Sequence, residues 1–351
     1  MRSAVLVDSK NGGHFKIREL ADPVVRNNEI VIKLAAASIN PLDTMMRQGY
    51  GESLFHWLRR KGPVVLGLDG AGVVTAVGSK VKNFKPGDQV MAAVMPFRSG
   101  FYSEAITVPA SWACKIPKTL SVEEAAALPY AGLTAYSVLY AAGLNATTAH
   151  GKRILVHGGS GGIGSILIQL LNSWGAWVAT TCSTSNIEFV RSLGARQVID
   201  YKHEKFTDVL SGLDVVVNTV TPKDLRLNEA PHLSVLRRGG HYVSLISPTL
   251  TLADALTAPL GLAVSGAWMA GASAYWMMRG KHHHWVYFKP SSSRLKQLSS
   301  WVDAGIVRPI IGKTFTLDQI QEAHKAVEAG PACGKVIVKM SSATTPRKDS
   351  R

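Results

Sequence analysis

A glycine-rich segment between two apolar runs constrains this chain more than any other feature. Three glycines, Gly159, Gly161 and Gly164, follow the pattern G-x-G-x-x-G. They come directly after the strand-like run Arg153–His157 and stand where the helix-like run Ile163–Trp174 begins. This context predicts a strand, a tight turn and a helix N-terminus, as in a βαβ unit.

Glycines at these positions permit the tight turn, the approach of a ligand to the backbone and the close packing of helix on strand. The unpaired N–H groups and the partial positive charge of a helix N-terminus attract phosphate. We therefore predict that the pyrophosphate of a dinucleotide binds here, and we favour this over a glycine-rich turn without a ligand.

The next predicted strand, Trp177–Thr181, bears on which dinucleotide binds. No Asp or Glu occurs from Ser165 to Ile187. An acid at the end of this strand would bind the ribose 2′-hydroxyl of NAD and would repel a 2′-phosphate. The hydroxyl-rich stretch favours NADPH over NADH, although no Arg or Lys stands within it. Lys202 is a candidate for the missing positive charge.

Strand-like and helix-like runs alternate through the second half of the chain, which predicts an α/β fold with a doubly wound parallel sheet of the Rossmann type. The first third is β-rich instead. The further predicted elements are the strands Glu29–Ala35, Gly72–Val77, Gln89–Ala93, Gln197–Ile199, Asp214–Val217, His241–Leu245, His282–Phe288 and Lys335–Lys339, and the helices Ile187–Leu193 and Leu295–Ala304. Ser121 and Glu124 form a capping-box pattern for another helix.

These patterns predict two domains and a tail. Residues 1–126 form a β-rich substrate domain completed by residues 291–341, residues 127–290 form the nucleotide domain, and residues 342–351 form a flexible tail. The length of 351 residues agrees with two domains, since it exceeds the number of residues that usually fold around one hydrophobic core.

Charge and cysteine content restrict the partners and the compartment. The formal net charge is +15, which suits nucleic acid, an anionic membrane surface or a phosphorylated ligand. No nucleic-acid-binding motif accompanies it, so we expect no nucleic-acid partner. Cys114, Cys182 and Cys333 are odd in number and widely spaced, which favours a reducing compartment. No signal peptide is evident before the first strand-like run.

The uncharged segment Ala255–Met278 has about 24 residues, enough to span a bilayer. Small residues and Pro259 interrupt its apolar character, so we predict a buried or interface helix and leave peripheral membrane contact open. The strand predicted after it, His282–Phe288, would lie at a sheet edge, and an exposed edge favours a homodimer. Its three histidines alternate in direction along the strand and cannot converge on a metal ion.

Three N-terminal motifs resemble the GroES-like domain of zinc-free quinone oxidoreductases in the medium-chain dehydrogenase/reductase family. They lie at residues 40–43 (Asn-Pro-Leu-Asp), 66–74 (Leu-Gly-Leu-Asp-Gly-Ala-Gly-Val-Val) and 84–88 (Phe-Lys-Pro-Gly-Asp). Further motifs at residues 47–51, 198–202, 285–288 and 302–309 resemble the mitochondrial, reticulon-interacting members. This likeness implies a mitochondrial location, with the cytoplasm as the alternative, and a reticulon-type protein partner.

The same resemblance implies a set of cofactor contacts. Ser160, Gly162 and Ile163 would hold the pyrophosphate. The 2′-phosphate end would meet Ser183 and Tyr201. The nicotinamide side would be lined by Thr219, Leu245, Val286 and Phe288. Two departures count against a simple transfer of these contacts. Residues 218–221 (Asn-Thr-Val-Thr) replace an Asp-x-Val-Gly-Gly motif. Cys333 stands where relatives carry a basic residue, which removes one expected phosphate contact and weakens the expected preference for NADPH.

No catalytic zinc is expected, because this chain lacks the Cys near Asn40 and the His-Glu pair near residues 68–69 that zinc-dependent relatives use. We expect Asn40 to be a donor beside the nicotinamide, with Thr134 nearby and Asp43 in a structural role. Tyr50 is either a proton donor to a carbanion or a packed aromatic in a mobile loop.

The sequence therefore predicts an NADPH-dependent, zinc-independent oxidoreductase that reduces a quinone or an α,β-unsaturated carbonyl by hydride transfer. Two alternatives remain. One is an enoyl-thioester reductase, and the other is a non-catalytic NADPH-binding partner protein at a membrane.

Overall fold

The computed structural model describes residues 1–8, 12–58, 62–221, 228–330 and 333–340, so the predicted tail at 342–351 lies outside the described residues. The strands are β1 Arg2–Val7, β2 His14–Glu19, β3 Glu29–Ile39, β4 Val64–Val65, β5 Asp69–Val77, β6 Gln89–Ala93, β7 Ala105–Pro109, β8 Ala113–Lys115, β9 Arg153–His157, β10 Trp177–Cys182, β11 Gln197–Asp200, β12 Leu213–Asn218, β13 Leu236–Ser244, β14 His282–Trp285, β15 Ile311–Thr316 and β16 Lys335–Lys339. The helices are α1 Pro41–Arg47, α2 Glu52–Leu58, α3 Val122–Ala125, α4 Pro129–Ala141, α5 Gly162–Ser173, α6 Ile187–Ser192, α7 Phe206–Val209, α8 Ala230–Ser234, α9 Thr249–Ala255, α10 Ala258–Met278, α11 Ser292–Asp303 and α12 Ile320–Glu328.

The nucleotide domain contains a six-stranded sheet in the order β11-β10-β9-β12-β13-β14, and every strand pair in it is parallel. Its central strands are apolar and buried on both faces, as a parallel sheet requires when helices cover it. The predicted doubly wound α/β sheet is confirmed. The strand predicted over His282–Phe288 ends earlier, at Trp285.

The substrate domain is built on a second sheet in the order β15-β16-β3-β5-β6-β8, with β7 also paired to β3. The last strand, β16, occupies the predicted residues and pairs antiparallel with β3, placing Val336 opposite Ile39. The C-terminal segment therefore returns to the first domain, as predicted. A smaller sheet, β2-β1-β4, lies beside it.

The predicted capping box at the start of α3 is present. The hydroxyl of Ser121 accepts from the backbone N–H of Glu124, and the Glu124 carboxylate accepts from the N–H of Ser121 at 2.9 Å. This pair satisfies two N–H groups that the short helix leaves unpaired, and it begins the segment that leads into α4.

The prediction of a buried or interface helix over Ala255–Met278 needs correction in its bounds and in the buried alternative, while the interface alternative stays a prediction. The segment contains the end of α9 and the separate helix α10, and α10 is not buried: Leu260, Trp268 and Met278 are 52%, 43% and 78% exposed. Its inner face uses small residues such as Gly261, where a Cβ would lie 2.4 Å from Ala253. Small side chains let α10 approach α9 and leave the larger apolar ones outside. Among the described helices, none is long and apolar enough to cross a membrane.

Candidate active site

The glycine turn after β9 packs too tightly for a side chain at Gly158, Gly159 or Gly164. Gly158 has a φ of +92°, a backbone region that favours glycine. A Cβ at Gly159 would lie 2.0 Å from Oγ1 of Thr180, and a Cβ at Gly164 would lie 2.3 Å from the carbonyl oxygen of Gly158. The turn is therefore held against β10 and against itself by contacts that require these glycines.

The same turn is open on one side. A Cβ at Gly161 would meet only the carbonyl oxygen of Gly158, at 3.6 Å. Gly161 is the N-cap of α5 and offers no capping side chain, so the first N–H groups of this helix have no intrahelical acceptor. These groups and the helix dipole form a cradle for an anionic group. The residues that can hold a pyrophosphate here are Ser160, Gly162 and Ile163.

The C-terminal strand closes the other side of this cradle. The N–H of Gly334 donates to the carbonyl oxygen of Ser160 at 3.3 Å. The alkyl chain of Lys335 lies over Gly162, where an added Cβ would be 2.7 Å from its Cδ. The glycine turn is thus built from residues far apart in the sequence, and β16 links it to the substrate domain.

At the end of β10, the structure brings together the two residues expected near the 2′-phosphate. Ser183 follows the strand, and the N–H of Tyr201 donates to the carbonyl oxygen of Cys182 at 3.2 Å. A cavity of about 770 Å³ lies beside them, lined by Tyr201 and Lys205 among others. Lys205 can supply positive charge on this side, but the acid Glu204 lines the same cavity.

Sequence reasoning missed an acid near this end of the site. Parallel pairing places Asp200 of β11 opposite Cys182. Its carboxylate accepts from Oγ1 of Thr184 at 2.5 Å and from the N–H of Lys202 at 3.0 Å. The Thr184 hydrogen bond is the main cause that holds the pKa of Asp200 below its ordinary value. The acid is therefore bound to protein groups, which reduces its availability for a ribose hydroxyl.

A cleft of about 630 Å³ opens between the glycine turn and the substrate domain. It brings together most of the residues expected near the nicotinamide and the substrate. These are Tyr50, Thr134, Ile163, Thr219, Leu245, Val286 and Phe288. Tyr130, which was not predicted, also lines the cleft, and its ring centroid is 4.5 Å from that of Phe288. The cleft is mostly apolar and aromatic, as small-molecule sites usually are.

Asn40 does not line this cleft but lies in a buried polar network beneath it. Its Nδ2 donates to Asp43 at 3.1 Å and to Asp69 at 2.9 Å, and its Oδ1 accepts from Nζ of Lys335 at 2.5 Å. Both amide hydrogens are therefore committed to carboxylates. An amide has two such hydrogens, so Asn40 has none left to donate to a nicotinamide or a substrate, contrary to the sequence-based expectation.

The network joins the two domains. Asp69 also accepts from the hydroxyl of Ser38 and from the N–H of Tyr130, at 2.8 Å, at the start of α4. Burial raises the pKa of Asp43 to about 7 and lowers the pKa of Lys335. Because Lys335 also covers the glycine turn, this buried cation connects the cofactor cradle with the floor of the cleft.

The other two predicted catalytic residues do line the cleft. The hydroxyl of Thr134 donates to the carbonyl oxygen of Tyr130 at 2.7 Å, one helical turn earlier. Burial raises the pKa of Tyr50, while a hydrogen bond with Thr251 opposes that rise. Tyr50 is thus held between the domains as a protonated phenol, a form that can donate a proton.

The loop that carries Tyr50 is fastened across the mouth of the cleft. The carboxylate of Asp254 in α9 accepts from the N–H of Gly51 at 2.6 Å and from the N–H of Ser53 at 3.0 Å. A carboxylate is favourable at the N-terminus of α2 because of the helix dipole. The contact holds α2 of the substrate domain against α9 of the nucleotide domain.

No three His, Cys, Asp or Glu side chains in the described part of the chain are arranged to hold a metal ion. His282 and His284 lie on one face of β14, with ring centroids 6.5 Å apart. His283 points the other way and packs on Trp285, with centroids 3.7 Å apart. The position near Asn40, where zinc-dependent relatives bind their metal, contains the Lys335 network.

Comparison with known proteins identifies the family. Residues 26–118 match the family described as alcohol dehydrogenase GroES-like domain, and residues 193–338 match zinc-binding dehydrogenase. The human protein called NAD(P)H oxidoreductase RTN4IP1, mitochondrial, is 38% identical over 324 residues, which are 89% of this chain and 81% of the relative. This chain belongs to the medium-chain dehydrogenase/reductase family. Its family-level activity is that of an NAD(P)H oxidoreductase.

Two further proteins with known names are similar to this chain. The 2-methylene-furan-3-one reductase of Solanum lycopersicum is 34% identical over 329 residues, covering 91% of this chain and 74% of that enzyme. The solved structure of the quinone oxidoreductase from Coxiella burnetii has a TM-score of 0.79 and 29% identity, covering 97% of this chain and 99% of that one. The resemblance predicted from the sequence motifs is confirmed.

Proposed function

We propose that this chain is an NADPH-dependent, zinc-independent oxidoreductase that reduces a quinone or an α,β-unsaturated carbonyl by hydride transfer. The observation that carries the proposal is the apolar cleft between the anion-binding glycine turn and the substrate domain. A bound nicotinamide nucleotide supplies the hydride. The protein binds, orients and shields the reacting groups.

The preference for NADPH rests on the end of β10. Ser183 stands where an NAD-preferring site carries an acid, and Asp200 is occupied by Thr184 and a backbone N–H. Tyr201 and Lys205 line the adjoining cavity, together with one acid, Glu204. We propose that this surface accepts a 2′-phosphate and that Cys333, which donates to Asn186 at 2.8 Å, leaves the phosphate with one basic contact fewer.

The acceptor is proposed from the cleft's lining. Val286, Leu245 and Phe288 exclude water around the nicotinamide side, and Tyr130 presents a flat aromatic face. A planar, electron-poor acceptor fits such walls. The tomato relative, named as a reductase of a conjugated ketone, supports the enone class. The Coxiella relative, a quinone oxidoreductase, supports the quinone class.

Tyr50 distinguishes between acceptors because they differ in their need for a proton donor. Reduction of an enone or enoyl thioester produces a carbanion that must be protonated, and a neutral phenol can donate to it. Reduction of a quinone produces oxygens that exchange protons readily with water. We propose Tyr50 as this donor and Asn40 as a residue that positions the cleft floor through Asp69.

The test is steady-state NADPH oxidation with a benzoquinone, an enone and an enoyl thioester, comparing the wild type with Tyr50→Phe. The proposal predicts turnover of the quinone or the enone, and a Tyr50→Phe loss confined to the carbon–carbon double bond substrates. Turnover of enoyl thioesters alone, lost in Tyr50→Phe, would establish the enoyl-thioester reductase instead. Thr251→Val is the matched control, because it removes the partner of Tyr50 without removing the phenol.

A non-catalytic role at a membrane is favoured by one specific observation, the exposed apolar face of α10. This surface, the net charge of +15 and the edge strand β14 suit an anionic membrane, a reticulon-type protein or a second copy of the chain. Tight NADPH binding without turnover across the acceptor panel, together with retention on anionic liposomes, would establish this role. The mitochondrial location proposed from the relatives is tested by imaging the tagged protein in cells.

A further inference from the structure

A second cavity adjoins the cleft beneath helix α2. Its volume is about 840 Å³, and three of its lining residues, Leu58, Phe97 and Arg98, also line the cleft. The rest of its lining comes from the substrate domain, including Phe55 and Trp112. The two cavities are therefore neighbours that meet at a shared wall, and the second one has no part in the reaction proposed above.

Phe97 forms this wall in an unusual backbone conformation. Its φ is +71°, a region that is unfavourable for a non-glycine residue and that is concentrated at functional sites. Its ring lies 6.0 Å from that of Phe55, and a Cβ on Gly51 would come within 3.3 Å of it. The aromatic ring is thus held between α2 and the Tyr50 loop, at the junction of the two cavities.

The apolar part of the second cavity, which makes up most of its lining, suits a hydrocarbon group. Its walls include Phe55, Val64, Val94 and Trp112. Polar side chains also line the cavity, namely Arg26, Asn28, Glu29, Arg98, Ser99 and Thr107, and two of them have partners beside it. The hydroxyl of Thr107 donates to a backbone carbonyl at 3.4 Å, and the guanidinium of Arg98 lies 5.0 Å from the ring of Trp112. Burying hydrocarbon against such walls is favourable in proportion to the apolar area removed from water.

We propose that the second cavity binds the hydrocarbon tail of the acceptor while its reducible head lies in the cleft, with Phe97 separating the two. The inference rests on the proposed function, since it assigns a substrate class to the same site. The ligand is a quinone or a conjugated carbonyl that carries a long isoprenoid or acyl chain. Phe97 and the walls around it then determine specificity for the tail.

The first experiment fills the cavity from its edge. Thr107→Trp places an indole into it from β7 without changing a fully buried residue. Thr75→Trp on β5 is the matched control, because Thr75 is exposed, lines neither cavity, and its hydroxyl also donates to a backbone carbonyl at 3.4 Å. Both variants are checked by thermal unfolding.

The readout is the ratio of kcat/KM for tailed and tail-less acceptors with the same head. One pair is a benzoquinone with and without a ten-carbon chain, and a second pair is an enoyl thioester of twelve or four carbons. The wild type and Thr75→Trp should prefer the tailed member, and Thr107→Trp should lower that preference about tenfold. The substrate pair whose kcat/KM ratio falls in Thr107→Trp identifies the head group. An equal ratio in Thr107→Trp and the wild type, for both pairs, would overturn the proposal.

A binding experiment separates this inference from the proposed function. A neutral dansyl amide with a decyl chain is titrated into the full-length protein, with no reaction required. Saturable binding that is about tenfold weaker in Thr107→Trp, and unchanged in Thr75→Trp, supports the tail site even when no acceptor is reduced. Equal binding by all three proteins would refute it, whatever the turnover experiments show.

Discussion

Alanine at two glycines of the turn after β9 should have opposite consequences. Gly161 has an ordinary φ of −74°, and its added methyl would meet only the carbonyl oxygen of Gly158, at 3.6 Å. At Gly164 the methyl would lie 2.3 Å from that same oxygen and 2.8 Å from Cα of Gly159. Gly161→Ala therefore fills the anion cradle, whereas Gly164→Ala forces the backbone apart.

The expected magnitudes follow from these contacts. In Gly161→Ala, the free energy of unfolding should change by less than about 1 kcal/mol, because the gain from a stiffer unfolded chain and the loss of a good N-cap residue nearly cancel. Displacing the pyrophosphate from one N–H group of α5 loses one charge-assisted hydrogen bond, about 1.5–3 kcal/mol, which weakens NADPH binding about 10- to 150-fold. Gly164→Ala should lose about 1–3 kcal/mol of stability through overpacking.

Two measurements on the same samples check this prediction: urea unfolding followed by circular dichroism, and NADPH titration followed by nucleotide fluorescence. Gly266→Ala in α10 is the control, since its Cβ would meet nothing within 4 Å. The reasoning is refuted if Gly161→Ala binds NADPH as tightly as the wild type does, or if it loses as much stability as Gly164→Ala.

Three more predictions concern the groups around the cleft. Burial raises the pKa of Asp43 from 3.8 to about 7, so the folded chain holds this proton more tightly than the unfolded chain. The free energy of unfolding should therefore fall as the pH rises from about 4 to 7. Urea unfolding at both of these pH values should show a smaller fall in Asp43→Asn than in the wild type. Lys335→Met should lower the free energy of unfolding, measured with urea, by about 3–5 kcal/mol, because it removes the cation of a buried charged network. A loss under about 1 kcal/mol would contradict this. Asp254→Ala removes the carboxylate that accepts hydrogen bonds from two N–H groups at α2. The KM for the quinone or enone substrate should rise about tenfold, while the NADPH affinity measured by fluorescence stays the same. An unchanged KM would count against the contact.

The sequence was sufficient for the parts of the fold that depend on local pattern. The strand Arg153–His157, the glycine turn and the helix after it lie within one residue of their predicted bounds, because apolar runs and glycines act over short distances. The return of the last strand to the first domain was also predicted, since the last apolar run needed a sheet to join, but its pairing with β3 was not.

Contacts between distant residues could not be predicted in the same way. Lys335 and Asn40 lie 295 positions apart, and nothing in either motif shows that the lysine takes the amide oxygen of the asparagine. This contact turns the amide hydrogens of Asn40 toward two acids and away from the cleft. Asp200 was missed for a related reason, since its position beside Cys182 follows from parallel strand pairing.

The sequence could not decide between a buried and an interface position for α10, because its composition is apolar on every side. In such a helix, periodicity does not show which face packs inward. The small residues at Gly261 and Ser265 decide the packing, and the bulky side chains remain outside. An uncharged run thus predicted the helix, and of the two predicted positions only the buried one is wrong.

The most direct test of the central claim is an anaerobic titration of the pure protein with NADPH and NADH, followed by addition of a tailed benzoquinone or a conjugated ketone. The account predicts tight binding of NADPH, weaker binding of NADH, and oxidation of the bound NADPH when the acceptor is added. Failure to bind either nucleotide would contradict the assignment of the glycine turn. NADPH that binds but is oxidised by none of these acceptors would contradict the proposed reaction.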